Sequence, residues 1–444
     1  MHIDSQKIDS LVYQAVFGST QEKQDARYQI WQLGTQQGVF FASINDLYMA
    51  RGRGEVSKVF TVPAMNLRGM TYDIARAAFI AAQRQNVGPI IFEIARSEMG
   101  YTKQTPLEYT TVLMASALRE GWQGPLFVQG DHFQAKAERM GVPKAGEIDS
   151  IKDLIRQAVS AGFYNIDIDM STLVDLDAET VAAQQVPNIK HSLELATFVR
   201  EVEPEGITIS LGGEIGHIGG KNSTVADFRA FITGFNDGLP QNMVGISKIS
   251  VATGTSHGGV VLADGTLADV ALDFSILSSI SKVCREEFGM GGAVQHGAST
   301  LPEEYFSEFP KSEAIEVHLA TGFQNMQMDH THFPKDLLAK MYSWIDETKQ
   351  AEREPEQTDA QFHYSLRKKA WGQFKQECWD MPMENRMAIL QTLTERFEFL
   401  FKQLQVVDTR EIMNAVIHPV TVEKTATDFL EWDEKPQDII GLSD

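Results

Sequence analysis

Residue types suited to acid–base or metal chemistry recur in this sequence directly behind short apolar runs. Asp131-His132 follow the run at 125–129, after Gly130. Asp167 and Asp169 close the run at 165–169, with Ser171 just beyond. Glu214 follows 208–211 within Gly212-Gly213-Glu214-Ile215-Gly216-His217-Ile218-Gly219-Gly220. His257 follows 246–252 within Thr253-Gly254-Thr255-Ser256-His257-Gly258-Gly259. His296 closes 292–296 ahead of Gly297-Ala298-Ser299, and the run 314–319 carries His318 and leads on to Asn325. A lone histidine among the 11 of this chain reads as a hydrogen-bonded structural residue. The recurrence argues otherwise, because three imidazoles converging on one rim can hold Zn²⁺ with an open coordination position, as Lewis-acid catalysis requires. Glycines behind His257 and His296 let backbone N–H groups approach an anion closely.

Such residues need a frame that brings distant parts of the chain together. From residue 58 onward, apolar runs at 58–64, 89–94, 125–129, 165–169, 208–211, 246–252, 292–296 and 314–319 alternate with longer segments of helical period, such as 70–85. This alternation is the signature of repeated βα units and a parallel sheet. Gly88-Pro89 and Gly124-Pro125 mark two strand entries. Eight strands in about 260 residues match a (β/α)8 TIM barrel, whose catalytic groups stand at the C-terminal ends of the strands. A doubly wound sheet would favour a Gly-rich phosphate loop behind its first strand, and Ala64-Met65-Asn66-Leu67-Arg68-Gly69 is not one. The expected organisation is an N-terminal helical extension over 1–57, the barrel over 58–335, and a C-terminal helical region and tail over 336–444. A polar acidic linker at 349–358, long amphipathic helices at 362–404 and a loose tail from Pro436 are expected within that last part. Its aromatic residues Trp371, Trp379 and Phe397 to Phe401 suggest oligomerisation or a lid.

Composition bounds the function. The net charge of -21 argues against a general nucleic-acid binder, which needs a basic face. Two cysteines, Cys284 and Cys378, allow no disulfide framework. No apolar run approaches the roughly 20 residues of a membrane helix, and the start of the chain has no signal-peptide h-region. A cytoplasmic protein with a small-molecule substrate is expected, with no nucleic-acid or membrane partner.

Over about residues 58–324 the sequence resembles the class II, metal-dependent fructose-bisphosphate and tagatose-bisphosphate aldolases. The motifs occur in family order: Asn66; Asp131-His132; Asp169-Met170-Ser171; Glu214-Ile215-Gly216 through Gly219-Gly220; His257-Gly258; His296-Gly297-Ala298-Ser299; Ala320-Thr321. A fainter echo lies in Tyr364-Ser365-Leu366-Arg367. The resemblance implies Zn²⁺ on His132, His257 and His296, with Glu214 as an alternative metal partner or catalytic group. It implies Asp131 as the group that moves a proton at the substrate hydroxyl, and an enediolate stabilised by the metal. Asn66, Asp169, Gly258, Gly297, Ser299, Thr321 and Arg367 would bind substrate or phosphate, with Arg68, Arg96 and Ser97 as further candidates for a distal anion. Asp131 also has a plainer reading, as the N-cap of a helix over 133–140.

The pattern departs from the family in three places. Gly219-Gly220 are followed by Lys221-Asn222-Ser223-Thr224, with no carboxylate before Asp227, where the aldolases carry a loop acid. His318 stands in place of an Asn, which makes it a candidate acid–base group, ligand or substrate contact. Gly259-Val260-Val261 occupy the place of a Lys found in the fructose-type enzymes. The expected activity is zinc-dependent aldol cleavage of a ketose phosphate, as in glycolysis, by a homo-oligomer (a dimer or tetramer). The alternatives are a metal-dependent epimerase or isomerase of a keto sugar or keto uronate, and a non-catalytic barrel subunit of an aldolase complex.

Overall fold

The computed structural model describes residues 4–216, 221–254, 262, 272–432 and 442. Eight parallel strands form its centre: β1 Val62–Asn66, β2 Ile91–Ala95, β3 Gly124–Gln134, β4 Asn165–Asp169, β5 Ser210–Glu214, β6 Lys248–Val251, β7 Gly292–Gln295 and β8 Glu316–Leu319. Each pairs with the next, and β8 pairs with β1 through His318 opposite Ala64, so the sheet closes into a (β/α)8 barrel. Each of the eight expected runs became a barrel strand. Residues of β1, β2, β4 and β5 are buried throughout. Strands covered on both faces have no polar side to alternate with, which is why they read as continuous apolar runs.

The covering helices include Thr71–Arg84 behind β1, Pro106–Glu120 behind β2, Val225–Gly238 behind β5 and Phe274–Phe288 behind β6. Their starts are written locally. Thr105 caps Pro106–Glu120 with proline in the first turn, and Thr224 forms a capping box with Asp227. Phe79, Phe92 and Trp122 meet between helix and sheet with ring centroids 5.1 and 5.2 Å apart, pairs worth about 0.5–1.5 kcal/mol each beyond the area they bury.

The regions outside the barrel differ from expectation in detail. The N-terminal segment is not helical throughout. Behind helices Ser5–Phe17 and Thr20–Gln36, the strand Val39–Phe41 pairs in parallel with the start of β3. The C-terminal segment holds the helix Lys335–Thr348 and the longer Met383–Gln403, which packs on Thr71–Arg84. Ahead of it come the short helices Asp359–Leu366, Ala370–Gln373 and Lys375–Trp379 and the 3-10 turn Arg367–Lys369. The segment docks closely there: a Cβ at Gly372 would lie 2.2 Å from the Tyr101 carbonyl oxygen. The expected tail from Pro436 lies outside the described residues, apart from Leu442. Among the described residues, no helix is long and apolar enough to cross a membrane.

Candidate metal centre and acid–base pocket

The site is built on an irregularity in β3. The register against β4 shifts between Gly130 and Phe133, and His132 has φ 42°, in the left-handed region. A bulge re-aims consecutive side chains, and strain of this kind is found at functional sites. Gly130 is required by packing, since a Cβ there would lie 2.4 Å from the Phe133 ring. β3 runs on to Gln134 and the hairpin strand Ala137–Arg139 follows, so there is no helix for Asp131 to cap. That plainer reading of Asp131 is corrected.

His132 is held by carboxylates from the next two strands. Its Nδ1 lies 2.9 Å from Asp169 Oδ2 and 3.4 Å from Glu214 Oε2. Asp169 accepts further hydrogen bonds from Gln134 Nε2 at 2.6 Å and from the Ser171 backbone N–H and hydroxyl at 3.0 and 2.6 Å. This is the outer support expected of an imidazole that must keep one orientation. The His132 and His296 rings are 4.4 Å apart, and His296 Nε2 lies 2.9 Å from Ser250 Oγ. Donor atoms of Asp131, His132 and His296 all fall within 4.8 Å of one another, as do those of His132, Asp169 and Glu214. Two imidazoles with carboxylates, all buried, match the donor chemistry of a divalent transition metal. His257 and Gly258 lie outside the described residues.

Beneath the rim runs a buried ionic network. Lys248 Nζ lies 2.5 Å from Glu316 Oε1, 2.9 Å from Asp167 Oδ1 and 2.7 Å from Gln129 Oε1. Gln129 Nε2 donates to Glu93 at 2.9 Å and to Glu316 at 3.0 Å. His318 spans the network, with Nε2 2.6 Å from Glu316 and Nδ1 3.1 Å from Glu93 and 3.3 Å from Asp131. Both its ring nitrogens face carboxylates, the pattern of an imidazolium with two donors.

The charges set one another. Burial disfavours a charged Asp131, yet the His132 and His318 rings hold it well below the usual carboxylate range. Burial also opposes a charged His318, but Glu93 and Asp131 outweigh it and hold the ring well above its ordinary value. Burial, then the neighbouring Asp169 charge, pushes Glu214 up to about 8. Burial disfavours the Lys248 ammonium too, but Asp167 and Glu316 raise it above its normal value. A lysine so paired is no nucleophile, since Schiff-base chemistry needs the neutral amine. Burial, then the Asp131 charge, pushes Glu93 well above the usual carboxylate range, and its Oε1 has no hydrogen-bond partner.

Above this centre opens a small pocket, bounded by Arg68, Glu93, Asp131, His296, Gly297, Ser299, His318, Thr321 and Lys368. Arg68 NH2 lies 2.9 Å from Glu98, which also accepts from Asn66 Nδ2 at 2.5 Å and from the Ala95 N–H at 2.7 Å. Asn66 therefore sits behind Arg68, with its own Oδ1 unpartnered. Ser299 Oγ accepts from the Gly322 N–H at 3.0 Å, so its proton stays available for the pocket. Arg367 points elsewhere, to Asp329 and Asn325, each at 2.6 Å. Arg96 is taken up by Glu147 at 2.6 Å and by the Gln134 carbonyl at 3.0 Å. Ser97 is buried beside it and outside the pocket lining.

Sequence reasoning missed Glu93, Glu316, Gln129 and Lys368. Glu93 and Glu316 left a signal, as charges inside Phe92-Glu93-Ile94 and Ile315-Glu316-Val317. Lys368 left none beyond its place beside Arg367.

The sequence profile described as fructose-bisphosphate aldolase class-II matches residues 56–370. Among solved structures, similar folds include a probable tagatose 6 phosphate kinase from Sinorhizobium meliloti 1021, with TM-score 0.55 and 16% identity over 80% of this chain and 98% of that one. They also include fructose-bisphosphate aldolase from Campylobacter jejuni, with TM-score 0.51 and 16% identity over 84% of this chain and 97% of that one. No curated protein matches in sequence.

Proposed function

Because the chain belongs to the class II fructose-bisphosphate aldolase family, we propose that it is a zinc-dependent lyase that cleaves and forms a C–C bond in a ketose phosphate. His132, His257 and His296 would hold the metal, with Glu214 as its alternative partner. When bound, the ion supplies positive charge to stabilise negative charge developing on substrate oxygens. Asp169 keeps His132 in one orientation through the 2.9 Å contact. Asp131, ionised on the rim, accepts the proton of the substrate hydroxyl as the C–C bond breaks. His318 fixes Asp131 from 3.3 Å and presents a charged ring to the pocket. The substrate's anionic group would meet Arg68, the Ser299 hydroxyl, Thr321 and the backbone at Gly297, with Gly258 as a further contact. Asn66 acts on that subsite through Glu98.

The observation that carries this reading is the β3 bulge, which sets Asp131 and His132 on one rim beside His296. Metal analysis of the purified protein, followed by a coupled assay for triose-phosphate release from fructose 1,6-bisphosphate and tagatose 1,6-bisphosphate, tests it. Protein without bound metal, or without triose release from either sugar when loaded with Zn²⁺, refutes it. One observation favours epimerisation of a keto sugar as a second reading. Asp227, the first carboxylate after residue 220, is spent in a capping box with Thr224. Interconversion of the two sugars without triose release would identify that reaction.

A further inference from the structure

Aldol cleavage moves two protons, one off a hydroxyl and one onto the carbon that loses its bond, and Asp131 accounts for the first. Resting on the aldolase reading above, we propose that Lys368 is the second proton carrier, a catalytic residue that the C-terminal segment delivers into the barrel mouth.

Placement supports this. The turn Arg367–Lys369 packs on helix Arg96–Thr102, behind β2. Two glycine contacts seat the segment. A Cβ on Gly69, next to Arg68, would lie 2.3 Å from the Trp371 ring, and Gly372 abuts the Tyr101 carbonyl. Lys368 thereby lines the pocket that also holds Asp131 and His296. His318 turns both ring nitrogens to carboxylates, Glu93 accepts from Gln129, and Arg68 pairs with Glu98.

The environment suits proton transfer. Lys368 feels the charges of Arg68 and Glu98 from the barrel and of Lys369 and Glu352 from the C-terminal part. Burial, then the Arg68 charge, lowers its ammonium to about 7. A group that titrates near the operating pH is the most effective general acid–base.

In the cleavage direction, the hydroxyl proton passes to Asp131 as the C–C bond breaks, and the bonding pair stays on the three-carbon ketone fragment. The Lys368 ammonium gives one proton to that carbon and becomes the neutral amine. Exchange with water then returns a proton to Lys368 and removes one from Asp131, so the cycle balances without a co-reactant.

The test uses the zinc-loaded full chain. Two reactions are followed across neutral pH: cleavage of the two ketose bisphosphates, and exchange of a carbon-bound proton of dihydroxyacetone phosphate in D₂O by NMR. Lys368→Arg keeps the charge but cannot titrate, so both reactions should fall by roughly 10²–10⁴-fold, with zinc content and melting temperature unchanged. Lys368→Ala should fall as far and recover with added small amines, a readout independent of how Arg fits. Near-normal turnover and exchange in Lys368→Arg, with weakened substrate binding in Lys368→Ala, would make the lysine an anion anchor only and overturn the proposal. A wild-type enzyme that cleaves neither sugar and exchanges no proton overturns the aldolase reading, and this inference with it.

Discussion

Replacing Lys248 with Met tests whether the floor of the site is an ionic network that needs its cation. At an effective dielectric constant near 20, the contacts of 2.9 Å to Asp167 and 2.5 Å to Glu316 are each worth about 6 kcal/mol of Coulomb attraction. Desolvation of the ammonium takes back several kcal/mol, and the abandoned carboxylates are left unpaired. Burial has already pushed Asp167 up to about 6 against the pull of Lys248, so it is the group that can escape by taking up a proton. The expected loss is therefore about 3–5 kcal/mol at neutral pH, the range for breaking a buried pair. The loss should also depend on pH. Asp167 is already above its ordinary value with Lys248 present, and losing that ammonium should raise it further, while His318 still holds Glu316 down from 2.6 Å. The stabilising protonation of Asp167 is present at low pH and lost as pH rises, and the deficit should shrink between about pH 8 and pH 5. Urea unfolding of both proteins across that range measures it. Adding Glu316→Gln to the variant should restore part of the loss, as coupled neighbours do. A loss below about 1 kcal/mol, or one independent of pH, would refute the argument.

Three further outcomes follow from the same geometry. Asp131→Asn keeps the shape but removes the base, so turnover should fall roughly 10²–10⁴-fold with the melting temperature nearly unchanged; a lower melting temperature with normal turnover would make Asp131 structural. His296→Ala should lose bound zinc, EDTA should abolish wild-type activity until Zn²⁺ or Co²⁺ is returned, and borohydride with substrate should not inactivate. Retained metal in His296→Ala or borohydride trapping counts against the metal mechanism. Gly69→Ala places a methyl against the Trp371 ring, an overpacking that costs about 1–3 kcal/mol. It should lower turnover by shifting the turn that carries Lys368, and unchanged turnover would separate that turn from catalysis.

The barrel was legible because its strands are buried on both faces, and Gly88-Pro89 and Gly124-Pro125 mark two of their starts. The rim was legible for the same reason, since Asp131-His132, Glu214 and His296 end or follow runs that are otherwise apolar. The ionic floor was half legible. Glu93, Lys248 and Glu316 interrupt apolar runs, but their mutual pairing depends on β2, β6 and β8 pointing into one interior. The β3 bulge was not legible, because it rests on a left-handed His132 and on Gly130 yielding space to Phe133. Neither leaves a mark in composition or period.

The C-terminal contribution shows where reading by motif fails physically. Arg367 and Lys368 are one residue apart, and a 3-10 turn has three residues per turn, so neighbours diverge by roughly 120°. Which of the two faces the barrel is therefore set by how the turn is seated, not by its sequence. The seating comes from Gly69 beneath Trp371 and Gly372 beside Tyr101, contacts that span about 270–300 residues of chain. Arg367 is bonded to Asp329 and Asn325, while Lys368 lines the pocket together with Arg68. Burial there, then the Arg68 charge, lowers the lysine's proton affinity. A shift of the turn by one residue would exchange a titrating amine for a guanidinium that does not titrate, so the chemistry of the pocket depends on the packing of two glycines.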